Sequence, residues 1–176
     1  MDKEQTYLAL QKFQRYVVRE SRSNLKKMKK NSSGKLYNSI KGNVKVSKNS
    51  FELDFEMLPY GQFQDKGVSG VKKKYDTPFT YRDKMPPPSK LDKWIIRKGL
   101  APRKDGKFSA RSIEKAGFKK SIQYLIARSI YMNGIKPSLF FTKPFEKAYK
   151  KLSPELVESF GLDVESLMDF TLPKLK

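Results

Sequence analysis

The sequence contains neither cysteine nor histidine. Without cysteine there are no disulfides and no thiolate metal sites, and the redox compartment stays open. Without histidine the commonest general base and the commonest metal ligand are gone, so Ser-His and Cys-His catalysis are excluded. No apolar run reaches membrane-spanning length, and no membrane partner is expected. No signal-peptide pattern opens the chain, which argues against secretion by that route. A glycine-rich phosphate fingerprint is missing too: Gly67 and Gly70 stand outside any strand–loop–helix setting. There is no internal repeat, heptad array or low-complexity tract.

What is present in excess is positive charge. The 176 residues carry 38 Lys+Arg against 18 Asp+Glu, a net charge of +20. Residues 1–60 hold a net +7, residues 61–150 a net +15, and residues 151–176 a net −2. A basic body with an acidic tail suggests two different partners. The body could face nucleic acid or another polyanion, or its lysines could simply keep the chain soluble. Apolar residues make up 38% of the chain, lean but enough for one compact core. We expect a main domain over 1–152 and an acidic docking arm over 153–176. The arm carries Leu156, Val157, Phe160, Leu167, Met168 and Phe170, too few residues to build a core of their own.

Periodicity outlines the elements. Leu10, Phe13, Val17, Ser21, Leu25 and Met28 recur in steps of three and four, so they form one helical stripe. Lys12, Arg15, Arg19, Arg22, Lys26 and Lys29 fall mostly off it. Such a basic helix can lie on a membrane or on nucleic acid, but the favoured reading is a cover over a sheet. "NSSGK" ends the helix, with Gly34 suited to a left-handed backbone, and "LYNSI" makes a short following turn. Val44 and Val46, then Phe51, Leu53 and Phe55, alternate with polar residues. They predict two strands joined at "SKNS" with one buried face. Residues 68–90 read as an extended, poorly ordered basic loop ending in "MPPPS". Ser89 is the predicted N-cap of "KLDKWIIRK", which makes Trp94 a core anchor. "APRKDGKFSA" reads as a loop. A helix follows over about 117–133, its apolar face given by Ile122, Leu125, Ile126, Ser129 and Ile130 and its end by Asn133-Gly134. Pro144 is placed to start a last helix through Tyr149, with Phe145 and Ala148 inward. The fold class expected is α+β: a small antiparallel sheet against an N-terminal helix and further helices, with a long loop and a C-terminal arm.

Chemistry-bearing residues are few. Glu52, Asp54 and Glu56 line one face of a strand. They could serve a magnesium nuclease, but the simpler reading is a wet sheet face balancing lysines. Asp65 beside Lys66 reads as a local ion pair. In "KKKYDTPFTYRDK" cations interleave with aromatics, a combination that can hold phosphates and stack bases. Its Lys72, Lys73 and Lys74 could touch phosphate or a partner, or keep a strand edge from pairing. No recognition-helix or zinc-finger signature accompanies it.

The ordered set of motifs resembles the phage tail-completion and head–tail joining (neck) proteins of the HK97 gp10-like kind. Gly34, Leu36, Ser39 and Ile40 match a G-x-L-x-x-S-I entry. Tyr60, Phe63, Asp65 and Gly67 fill an aromatic Y-…-(E/D)-x-G corner, with Asp for the more usual Glu. Trp94, Lys98-Gly99-Leu100, Ile126-Ala127, Ile130, Gly134, Pro137, Phe141, Pro144-Phe145 and Ala148 match the remainder, so the likeness covers roughly residues 5–152. It implies a structural virion protein and no enzyme, with no cofactor and no metal. Its expected partners are copies of itself in a hexameric or dodecameric ring, the connector or portal side, the tail tube, and the genomic DNA that passes through. It implies assembly in the host cytoplasm and residence in the virion neck. Tyr60, Gly61, Phe63, Asp65 and Gly67 would form a tight turn at the subunit interface. The acidic tail is less typical of that family; its charge and apolar content, not the resemblance, make Leu156, Phe160, Leu167 and Phe170 the expected anchors of the docking arm. The alternative is a nucleic-acid-binding protein without sequence preference.

Overall fold

A computed structural model describes residues 3–46, 51–100, 103–104, 107–108 and 118–152. The docking-arm residues Leu156, Phe160, Leu167 and Phe170 lie outside the described residues, as does the "SKNS" turn. The chain divides into two compact units, Met1–Asp65 with Ser138–Lys176, and Lys66–Pro137. The fold is α+β.

In the first unit the predicted stripe becomes helix α1, Lys3–Lys27. Leu10, Phe13, Val17, Ser21 and Leu25 are all buried, and Thr6 extends the stripe one turn toward the N-terminus. Met28 lies just past the helix and is exposed, because the chain has already turned away. Gly34, with φ 73°, leads into α2, Lys35–Ser39, which buries Leu36. Strands β1, Lys41–Val46, and β2, Phe51–Glu56, pair antiparallel with Val44 opposite Leu53 and Val46 opposite Phe51. α1 covers this hairpin with its apolar face, as expected. Helix α3 spans Tyr60–Lys66.

The core is aromatic. Phe13 of α1 and Phe55 of β2 meet Phe141 and Phe145 from the last part of the chain. The Phe13–Phe145 rings lie edge-on at 5.3 Å, and Phe55–Phe141 at 5.4 Å. Such tilted contacts add to the burial of each ring, because the electron-poor edge meets the electron-rich face. On the other side of the hairpin Lys45 reaches Glu52 at 3.4 Å and Asp54 at 3.2 Å. That is the lysine-balanced wet face the alternation suggests. The hydrogen bond to Asp54, then that to Glu52, raises the Lys45 pKa above its ordinary value. The small stabilisation that Lys45 gains from this exposed cluster is therefore present at neutral pH and lost as the solution becomes strongly alkaline.

Leu53 is half-buried and packs against the aromatic core. Leu53→Asp is expected to abolish the folded state, since a charge without a partner there costs several kcal/mol. Thermal unfolding by circular dichroism reads this directly; a soluble, cooperatively melting variant contradicts the assignment.

The second unit differs from expectation in several places. The helix of "KLDKWIIRK" is shorter than its sequence suggests. Residues Pro88–Leu91 form a 3-10 turn, and α4 runs only over Asp92–Arg97. Its N-cap is Leu91, and Ser89 is exposed. Trp94 is not a core anchor: it is exposed, and Ile95 is the buried residue. "APRKDGKFSA" holds a minimal hairpin, β3 Arg103–Lys104 with β4 Lys107–Phe108. Helix α5, Phe118–Asn133, lies where the periodicity placed it. Its buried face, however, is shifted to Gln123 and Ala127, four residues apart, and Leu125 is exposed. The 68–90 loop, expected to be poorly ordered, is stitched down instead. Val68 exchanges backbone hydrogen bonds with Ile135, and Val71 and Lys72 donate to Tyr131 and Met132. Ser69 bonds the backbone of Tyr75, Phe79 and Tyr81, and Tyr131 Oη donates to the Arg82 carbonyl. The composition offers no sign of this, because most of these bonds join backbone to backbone and depend on where α5 ends.

Candidate functional site

The corner "YGQFQDKG" is a helix with a cap rather than a tight turn. Asp65, at its C-terminal end, is 2% exposed. Its carboxylate accepts hydrogen bonds from the Phe141 amide at 2.8 Å, the Thr142 amide at 3.3 Å and the Thr142 hydroxyl at 2.5 Å. Those two amides open α6, Thr142–Tyr149, whose own N-cap residue Phe141 supplies no side-chain cap. Asp65 therefore caps a helix 76 residues away, where both the unpaired donors and the helix dipole favour an anion. In return, the Asp65 carbonyl accepts from the Ser138 and Leu139 amides, and the Gln64 carbonyl accepts from the Ser138 hydroxyl. The expected local Asp65–Lys66 pair gives way to this long-range clamp.

The other corner residues sort by position. Gly67 has φ 76° and takes the left-handed turn that ends α3. Gly61 is buried for a different reason than expected: a Cβ there would meet Met57 Sδ at 2.6 Å and Leu36 Cδ1 at 2.9 Å. Phe63 is half-buried, and Tyr60 is exposed. Partial desolvation raises the Tyr60 pKa, and a hydrogen bond with the Leu36 backbone pulls it partway back. Asp65 and Gly61 are thus committed to the interior of the chain, and of the five corner residues only Tyr60 presents an open surface. Lys72, Lys73 and Lys74 are exposed, with Lys73 Nζ 5.6 Å from the centroid of the Tyr75 ring.

A second constellation is one that motif and spacing do not announce. The outer face of α1 borders an open groove of about 470 Å³ lined by Gln14, Arg15, Val18, Arg19, Arg22, Ser23, Lys26 and Tyr37. Two cations hold the Tyr37 ring, Lys26 Nζ at 4.7 Å and the Arg22 guanidinium at 5.4 Å. Arg22 also donates to the Ile40 carbonyl at 2.8 Å, and Gln14 to the Gly42 carbonyl at 2.8 Å. The basic residues are visible in the sequence as a helical face, but Tyr37 joins them only through the turn after α1. Among the described residues, no group of three or more acidic side chains is placed to hold a metal ion. Nor is any helix among them long and apolar enough to cross a membrane.

The fold and these sites define an α+β protein with an internal carboxylate clamp and a basic groove. No family model, curated protein or solved structure matches the chain.

Proposed function

We propose that this chain is a structural subunit of a tailed-phage neck, in which copies close a ring between the head connector and the tail tube. The observation that carries the reading is apolar surface left in water. The second unit exposes Val71, Trp94, Ile96, Leu100, Tyr124 and Leu125, while the first exposes only Leu8, Met28 and Tyr60 among its large described apolar residues. Around α4, Trp94, Ile96 and Leu100 are all exposed within seven residues and Ile95 alone is buried. Apolar surface in such density marks contact with another protein. A second copy is the occupant that the charge distribution favours. Residues 61–150 carry +15, and the acidic, partly apolar segment 151–176 of a neighbouring copy supplies the complement.

The clamp supports the same reading from the side of the motifs. Asp65 of the corner holds Phe141 and the adjacent Thr142, and Phe141 and Phe145 of the C-terminal motif lie in the core, so these matched residues serve the fold and leave assembly to the exposed ones.

Sedimentation velocity and negative-stain microscopy test the proposal. The full chain is expected to form rings as its concentration rises. Trp94→Ser with Leu100→Ser, and separately deletion of 153–176, should leave a folded body that assembles poorly. A full chain that stays monomeric at every concentration reached, or truncated and substituted chains that assemble as well as the full one, would overturn it.

A further inference from the structure

We propose that the groove on the outer face of α1 is a binding site for the phosphodiester backbone of double-stranded DNA, read without regard to base sequence. The inference rests on the first unit alone and does not depend on ring formation.

The groove's lining contains four cations and no carboxylate. Arg15, Arg19, Arg22 and Lys26 succeed one another at steps of four, three and four along α1. At 1.5 Å per residue the row is about 16 Å long. Duplex DNA presents one phosphate per roughly 3.4 Å along each strand, so several phosphates lie within reach of such a row. Glu20, which pairs with Arg19 at 3.2 Å, is outside the lining, and a pair so open to water is weak and readily exchanged.

The side chains are held for this use. Arg22 is anchored by the Ile40 carbonyl and by Tyr37. Lys26 rests on the same ring. Because Tyr37 already carries two cations, the arrangement favours phosphate contact over base stacking. That separates this groove from the lysine triplet at 72–74, where Lys72 and Lys74 have no comparable aromatic support among the described residues. An acidic protein is the competing occupant, but a row of regular pitch on one helix face suits a charge lattice of regular pitch better than an irregular surface.

The test uses the full chain at a dilution where it is monomeric and a fluorescent duplex of random sequence. Fluorescence anisotropy is read over a series of salt concentrations. The wild type should bind, with affinity falling steeply as salt rises. Arg15→Gln, Arg19→Gln and Lys26→Gln together should weaken binding about tenfold near 0.1 M salt and reduce the logarithmic salt slope by roughly two to three. Lys72→Gln, Lys73→Gln and Lys74→Gln remove the same charge and should leave both close to wild type. The pair Arg15→Gln and Lys26→Gln, both exposed side chains, provides a second reading should the triple variant melt early. Equal losses from the groove and loop triples would overturn the assignment. So would no measurable binding, or displacement of the DNA by poly-glutamate as effectively as by unlabelled duplex.

Discussion

Asp65→Ala is expected to cost about 3–4 kcal/mol of folding stability. The change strands the Phe141 amide, the Thr142 amide and the Thr142 hydroxyl at once. Hydrogen bonds to a charged group are worth roughly 1.5–3 kcal/mol each, and loss of a helix cap alone costs about 1 kcal/mol. The contributions are not additive, because the three donors share one carboxylate. The consequence spreads into the core. α6 carries Phe145, which is fully buried and meets Phe13 and Phe55 edge-on. A chain of this size should lose about 10 °C in melting temperature. Asp65→Asn keeps one acceptor oxygen and should fall about halfway. Thr142→Val removes a single bond and should cost about 1 kcal/mol. Urea unfolding of the three variants checks the order. If Asp65→Ala costs no more than Thr142→Val, the carboxylate is not what starts α6.

Gly134→Ala is expected to be comparably damaging, for a steric reason. Gly134 ends α5 with φ 71°, where an L side chain costs roughly 1–2 kcal/mol. The added Cβ would also stand 2.1 Å from the Val68 carbonyl oxygen and 2.5 Å from the Gly70 amide. Backbone cannot rotate away as a side chain can. The 68–72 segment must withdraw, and with it the hydrogen bonds between Val68 and Ile135. Together these give about 3–4 kcal/mol, seen as rapid amide exchange at Val68, Val71 and Lys72. Gly34→Ala isolates the conformational part. It shares the positive φ, at 73°, yet its Cβ would meet only Asn38 Nδ2 at 3.8 Å. That variant should lose about 1 kcal/mol. Equal losses from the two substitutions would mean that crowding at Gly134 is relieved at no cost.

Both effects arise from partners far along the chain, beyond the reach of local pattern. The stripe on α1, the β1–β2 alternation and the last helix, which begins at Thr142 two residues before the expected Pro144, are of the opposite kind. They are legible in the sequence, because each depends on residues a few positions apart. An amphipathic repeat buries one face whatever covers it, and period-two alternation does the same for a strand. The wet face of the hairpin follows too: Lys45 sits opposite Glu52 once the register is set by the buried residues.

The basic groove is only half visible in the sequence. Arg15, Arg19, Arg22 and Lys26 declare a basic helix face, since their spacing is that of the helix. Tyr37, which seats two of them, does not, because its place depends on how the chain turns at Gly34. Trp94 misleads for a related reason. A lone tryptophan in an apolar cluster reads as core, yet α4 is barely two turns long and buries Ile95 instead.

Alone, the sequence determined the α+β class, the aromatic stock of the core and the strong positive charge, all of which are properties of local pattern and composition. Tertiary structure alone decided that Asp65 caps α6 across 76 residues, that Gly134 must make room for Val68, and that Tyr37 completes the basic groove. Each of these joins groups far apart in the chain through hydrogen bonds or close contacts only a few ångströms long. No periodicity encodes which distant segments will meet, because that is set by how the elements pack.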